Sequence, residues 1–343
     1  MRGLSFLGNS KIEMTGLPDP ELKEGTMLVR IKASAICGSE VETYEPPGGY
    51  PGGGNPGHEV MGVVEDPNGS RRFHTGDRVG VVPIQGCGEC FWCRQGKQDY
   101  CRNIKPIRNG HSEYVVGKEI WMQPVPDDID DCVAALLAGD GMGVPYGASI
   151  RSGVAPGDIT CVFGSGPVGG AMTIVQTFLG ARVIAIDIRP QALERAAMWG
   201  AWKTINAKET DDLKGVILDL TDGLGPNKSF DACGDQEMFN LALEVTMPGG
   251  TVMTVAHGTH GIDNVRERLS FHSDREKGER WGRNLTVMGD WSCHFSDFTD
   301  QVAMIRNGLP ISRLITATYP LEQFEEAYRR FMAGMEGKVI LLH

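Results

Sequence analysis

Ile159-Thr-Cys-Val-Phe-Gly164-Ser-Gly166-Pro-Val-Gly169-Gly-Ala-Met-Thr-Ile-Val-Gln-Thr-Phe-Leu-Gly180 decides the fold. A short apolar run enters a G-x-G-x-x-G turn and leaves it as an apolar helical stretch, the strand, turn and helix order of a dinucleotide fingerprint. Gly164 allows the turn, Gly166 lets backbone approach a pyrophosphate, and Gly169 lets helix pack on strand. The phosphates are then expected on the helix N-terminus, at Gly166, Pro167 and Val168. Eighteen residues after Gly169, Asp187 ends the run Arg182-Val-Ile-Ala-Ile-Asp187, where its carboxylate can accept from both adenosine ribose hydroxyls. This favours NAD. Arg189 leaves NADP open, because a guanidinium there could meet a 2′-phosphate; its other reading is a surface partner of Asp187.

Outward from this turn, residues from about 150 alternate strands with helical stretches. The strands are read in ITCVFG, RVIAID, KSFDACG, GTVMTVA and LTVMG, and QALERAAMWG is one of the helices between them. Such alternation predicts an α/β fold with a parallel sheet covered on both faces. Residues 1 to about 125 instead alternate β-branched runs with glycine and proline turns, an all-β pattern. The last fifty residues hold two helical stretches and a closing strand, KVILLH, expected to return to the first domain. The expected division is 1–150, 151–289 and a return segment 290–343, and the length suits about two domains. The segment 257–284 is long, charged and weakly patterned, as functional or mobile connections often are.

Cys87, Cys90, Cys93 and Cys101 stand at C-x2-C-x2-C-x7-C spacing within a lobe, 87–101. Four thiolates so close in sequence suit one tetrahedral zinc with no open position, a structural site. Iron-sulfur clusters use the same ligand type at other spacings, and a disulfide framework is disfavoured without a secretory signal. Cys132, Cys161, Cys233 and Cys293 are then expected as small core residues. The chain has 44 acids against 33 bases, a net charge of −11, which disfavours nucleic acid and anionic membranes. No apolar run reaches the roughly 18 residues a membrane helix needs, so a cytoplasmic location is expected.

Cys37 ends a strand run, and His58 follows 21 residues later in a Gly-His-Glu sequence. A thiolate and an imidazole from strand ends can share a catalytic zinc, which takes three protein ligands and keeps one open position. Together with the thiol lobe, the glycine turn, the acid after the second strand and the C-terminal PLEQFEEAYRRFMAGMEGKVIL, the motifs CGSE and PGHE make the chain resemble the zinc-dependent medium-chain alcohol dehydrogenase family along essentially its whole length.

That resemblance implies a GroES-like β-barrel catalytic domain beside a Rossmann domain, and two zinc ions per chain. It implies Cys37 and His58 as ligands of the catalytic zinc, Glu59 as the carboxylate next to the metal, and Ser39 as the hydroxyl that takes the substrate's proton. Members place the third ligand before the first Rossmann strand. Here Asp140 is the candidate, its other reading being the cap of the following helix. In CGSE, Glu40 replaces the family's aspartate and is expected to orient the histidine ligand. Glu42 stands where many members end a proton relay with histidine. Tyr44, Trp121, Met142 and Trp291 are candidates for the pocket wall.

The expected activity is hydride transfer between NAD and a polar secondary alcohol, such as a polyol, sugar or amino alcohol, in a homodimer or homotetramer. The expected partner is therefore a small-molecule alcohol or ketone. Two other readings stay open: a formaldehyde-type dehydrogenase or dismutase that retains its cofactor, and a metal- and nucleotide-binding redox sensor without turnover.

Overall fold

The computed structural model describes residues 1–256, 260–262, 264–274 and 278–343. It divides into two compact units, Met1–Gly143 with Ser292–His343, and Val144–Trp291.

In the second unit six strands lie parallel in the order Lys203–Asn206, Arg182–Asp187, Ile159–Phe163, Lys228–Asp231, Thr251–Thr254, Thr286–Gly289. The central strands are buried along nearly their whole length, as strands covered on both faces must be. Helices Pro167–Phe178 and Gln236–Val245 supply Met172 and Phe239 to cores that also contain Val162 and Phe163. Arg283 closes one helix end: its buried guanidinium donates to the carbonyls of Leu243, Glu244 and Thr246, which the helix Gln236–Val245 leaves unpaired or nearly so. Between the last two strands of the sheet, the described part of 257–284 forms a short π-helical turn, Arg266–Ser270, and an antiparallel pair, Phe271–Asp274 with Glu279–Gly282. Residues 257–259, 263 and 275–277 of that segment lie outside the described residues.

The first unit is built on a mixed sheet in the order Ile315–Pro320, Lys338–Leu342, Thr26–Ala35, Glu59–Asp66, Arg78–Val81, Met122–Pro124, with Tyr114–Lys118 also paired to Thr26–Ala35. Together they are the GroES-like and Rossmann-like parts of an α/β protein. Strand Thr26–Ala35 alternates buried and half-buried residues, then becomes fully buried as it approaches Cys37. Strand Lys338–Leu342 lies against it, with Leu341 opposite Ser34. Strands Arg2–Gly8, Lys203–Asn206 and Ile315–Pro320 are among those with little sequence signal. Of the four remaining cysteines, Cys161 and Cys293 are buried as expected, but Cys132 is half-buried and Cys233 is exposed. Cys132 lies in the half-buried first turn of helix Asp131–Ala138, and Cys233 follows the end of strand Lys228–Asp231, where the chain has left the core.

Candidate active site

Cys37 immediately follows the strand Thr26–Ala35 and Ile36, and His58 immediately precedes the strand Glu59–Asp66. Because these strands pair antiparallel with Ala35 opposite Glu59, their ends meet at one edge of the sheet. Ligand atoms of Cys37, His58 and Glu59 all lie within 4.8 Å of one another. Asp140, the first residue of helix Asp140–Arg151, comes to the same place: its Oδ2 lies 3.2 Å from His58 Nε2. Gly139 and Gly141 make the approach possible. A Cβ on Gly139 would meet Glu59 Cγ at 2.6 Å, and one on Gly141 would meet Glu59 Oε2 at 2.9 Å.

Asp140 does not cap its helix. One carboxylate oxygen faces His58, and Oδ1 is buried without a hydrogen bond among the described residues. The other imidazole nitrogen, His58 Nδ1, meets the Pro56 carbonyl at 3.0 Å, which leaves Nε2 directed at the cluster. Burial works against a charge on His58, but Cys37 and Asp140 hold its pKa well above the ordinary value. Asp140, against the same burial penalty, is held below the usual carboxylate range by His58. A cluster of a thiol, an imidazole and two carboxylates therefore draws positive charge, and it contains an unsatisfied buried oxygen. That donor set fits a zinc ion.

Glu59 is fully buried, and its Oε1 accepts from Lys338 Nζ at 2.5 Å, while Oε2 has no hydrogen bond among the described residues. Burial opposes the Lys338 charge, yet Glu59, Cys37 and Asp140 raise its pKa above the ordinary value. The lysine offsets one of the two carboxylates, so the cluster is not left with uncompensated anions. Sequence reasoning missed Lys338: it lies 279 positions from Glu59, in an unremarkable strand start.

Ser39 Oγ donates to Cys37 Sγ at 3.3 Å and is half-buried. Glu42 is exposed on the short helix Val41–Tyr44. Glu40 departs from expectation. It makes no hydrogen bond to His58; its buried carboxylate accepts from Cys37 N, His111 Nε2 and the Tyr328 hydroxyl, at 3.3, 3.0 and 2.5 Å. The longer side chain turns back beneath the Cys37 turn, and the Pro56 carbonyl holds the histidine instead. Among the pocket-wall candidates, Tyr44 stacks on Tyr328 and Trp121 packs on Phe295 with its indole N–H on Gly86 O, so both are engaged in packing. Met142 is fully buried and Trp291 is about half exposed.

The four lobe sulfurs also lie within 4.8 Å of one another. Amides of Glu89 and Cys90 point at Cys87 Sγ, both at 3.4 Å, and amides of Cys87 and Asn103 point at Cys101 Sγ, at 3.4 and 3.3 Å. These donors bring the Cys87 thiol down to about 6, whereas burial pushes Cys93 up to about 12. Amide donors around converging sulfurs suit thiolates holding a metal.

In the second unit Gly164 has a φ of +96°, and a Cβ on Gly169 would lie 1.8 Å from the Gly164 carbonyl oxygen. Both glycines are sterically required. Gly166 precedes the helix Pro167–Phe178, and a Cβ there would find nothing closer than 3.8 Å, so the turn is open beside the helix N-terminus. That open turn fits a pyrophosphate. Asp187 lies at the next strand end and accepts from Ser165 N at 2.8 Å and Arg189 N at 2.9 Å. Arg189 Nε also reaches it, at 3.2 Å. Burial raises the Asp187 carboxyl, but Arg189 and the two amides bring it below its usual range.

Two family models match the chain. The model described as "Alcohol dehydrogenase GroES-like domain" matches residues 23–127, and "Zinc-binding dehydrogenase" matches 167–307. An L-threonine 3-dehydrogenase of Anaeromyxobacter sp. is 30% identical over 339 residues, covering 94% of this chain and 93% of that one. The chain belongs to the zinc-dependent medium-chain dehydrogenase family. As in other members, then, the protein is a zinc-dependent alcohol dehydrogenase-type enzyme. The L-threonine 3-dehydrogenase of Chromobacterium violaceum is 29% identical over 96% of each chain. Among solved structures, alcohol dehydrogenase TADH from Thermus sp. ATN1 superposes with a TM-score of 0.89 at 26% identity over the whole of both chains. No helix among the described residues is long and apolar enough to cross a membrane.

Proposed function

We propose that this dehydrogenase oxidises a polar secondary alcohol with NAD, and that hydroxy amino acids and polyols are its substrate class. The observation that carries the reading is the convergence of Cys37, His58 and Glu59 within 4.8 Å, with Asp140 Oδ2 3.2 Å from His58 Nε2. Cys37, His58 and Asp140 would hold the zinc, with Glu59 beside it. Asp140 is preferred over Glu59 as the third ligand because Lys338 pairs with Glu59 in a buried ion pair, whereas Asp140 Oδ2 faces His58; each carboxylate keeps one oxygen without a hydrogen bond among the described residues. The four lobe cysteines would hold a second, structural ion.

When bound, zinc supplies Lewis acidity toward an alcohol oxygen, and the nicotinamide supplies the hydride acceptor. The chain's own residues do the rest. Ser39, 3.3 Å from Cys37 Sγ, accepts the alcohol proton and passes it on toward Glu42 and solvent. Asp187 holds the ribose hydroxyls, and the amides at Gly166 to Val168 hold the pyrophosphate. Burial raises the Glu59 carboxyl and the Lys338 charge opposes that shift, and the polar surroundings of the site favour hydroxyl or ammonium groups over alkyl chains. The same preference is supported by the L-threonine 3-dehydrogenases, whose named substrate carries both groups.

The test is NADH formation over a panel of L-threonine, related hydroxy amino acids, polyols, sugars and unbranched alcohols of three to eight carbons. The reading expects the highest kcat/KM among the polar secondary alcohols. Rates that climb with alkyl chain length while polar substrates stay inert contradict it.

A further inference from the structure

The Glu40 carboxylate ends a buried polar series that runs across the first unit. His111 Nε2 meets Glu40 Oε1 at 3.0 Å, His111 Nδ1 meets Ser34 Oγ at 2.8 Å, and Ser34 Oγ meets His343 Nε2 at 2.8 Å. On its other side Glu40 Oε2 accepts from the Tyr328 hydroxyl at 2.5 Å. Ser34, Glu40 and His111 are wholly buried, and Tyr328 is 1% exposed.

An ionised Glu40 only accepts, so His111 Nε2 carries the proton toward it. The Ser34 hydroxyl then links His111 Nδ1 to His343 Nε2, donating to one ring nitrogen and accepting from the other. Each link fixes the next, so a change at His343 reaches Glu40 through three hydrogen bonds.

The near end of the series touches the active-site turn. Glu40 lies in the 3-10 turn Gly38–Glu40 and reaches back to accept from Cys37 N at 3.3 Å. The far end is fixed by the sheet: Leu341 pairs with Ser34, and His343 N donates to Lys32 O at 3.1 Å. An apolar core would hold this region together without the desolvation cost of five polar side chains, so the polar series calls for a reason beyond packing.

We propose that Tyr328, His111, Ser34 and His343 are positioning residues for the Cys37 metal site, acting together to fix the Glu40 carboxylate and, through it, the Cys37 turn. The inference rests on the reading of Cys37 as a metal ligand. Groups that orient ligands in this way typically change metal affinity or activity by about 10- to 100-fold when removed.

Ser34→Ala and Tyr328→Phe each delete one hydroxyl with little change in volume. His343→Ala removes the far end, and His343→Gln retains an N–H that can reach Ser34. Each zinc-loaded variant is titrated with a chelator, using the four-cysteine zinc as internal reference, and the Cys37 site is then loaded with cobalt for its visible d–d spectrum. The expected result is a loss of about 10- to 100-fold in affinity at the Cys37 site for Ser34→Ala, Tyr328→Phe and His343→Ala, with a changed cobalt spectrum and an unchanged lobe zinc. His343→Gln should recover most of the affinity. Wild-type affinity and an unchanged cobalt spectrum in the three disruptive variants, whatever their melting temperatures, would overturn the inference. A wild-type protein that binds metal in the lobe alone would instead overturn the ligand assignment beneath it.

Discussion

His58 Nε2 and Asp140 Oδ2 lie 3.2 Å apart although 82 positions separate them in the chain. The contact needs a strand end and a helix start at one place, and Gly139 and Gly141 allow it by leaving room for Glu59. This geometry places the metal reading on three separately testable side chains.

Replacing Asp140 with asparagine keeps the shape and removes the charge. We expect kcat/KM to fall by about 10-fold or more and the zinc of this site to be lost more readily, with the lobe zinc retained. Elemental analysis of the dialysed variant checks this. Two firmly held zincs would remove Asp140 from the ligand set.

The lobe should behave differently. Cys90→Ser is expected to lower the melting temperature by several degrees, because the binding energy of a closed metal site belongs to the folded state. Calorimetry of the variant and of the chelator-treated wild type should agree. A variant that melts with the wild type would make the lobe dispensable for folding.

Lys338 and Glu59 form a buried pair, so Lys338→Met strands a carboxylate. A destabilisation of about 3–5 kcal/mol is expected, measured by denaturant unfolding. Lys338→Arg should recover much of it. A methionine variant as stable as wild type would mean that Glu59 is already neutral.

Asp187 should set the choice of cofactor. A 2′-phosphate would cost the ribose hydrogen bonds to this carboxylate, each worth about 1.5–3 kcal/mol, so NAD should be preferred over NADP by about tenfold or more in kcat/KM. Asp187→Ser should narrow the gap. Equal constants for the wild type would mean that Arg189 governs the site.

Burial and the neighbouring His111 bring the His343 imidazole down to about 3. A base whose folded pKa lies below its unfolded value, about 6.5, is neutral in the fold and protonated in the unfolded chain between those two limits. Stability is therefore fully present above about pH 6.5 and is lost as the pH falls toward 3, by about 2–3 kcal/mol at pH 4.5. His343→Gln cannot take up that proton and should lose correspondingly less between pH 7 and 4.5 in urea unfolding. Parallel losses in variant and wild type would contradict the assignment.

Much of the fold was legible because its requirements are local. Gly164 and Gly169 announce a turn that a Cβ would block, and the four lobe thiols converge within fifteen residues. Cys37 and His58 were legible as strand ends, since pairing of the two strands brings the ends together. The groups around them were not. Lys338, His111, Tyr328 and His343 sit in ordinary strands, loops and helices, and reach the site only through contacts 71 to 309 positions long. Glu40 shows the limit in the other direction: its motif suggested a partner in His58, but side-chain length and the Pro56 carbonyl settled the geometry otherwise.

The most direct test is zinc stoichiometry and NADH formation measured on the same preparations of wild type and His58→Ala, with L-threonine and a polyol as substrates. The account predicts two zincs and turnover in the wild type, against one zinc, an intact fold and no turnover in the variant. Two zincs with sustained turnover in His58→Ala would contradict it.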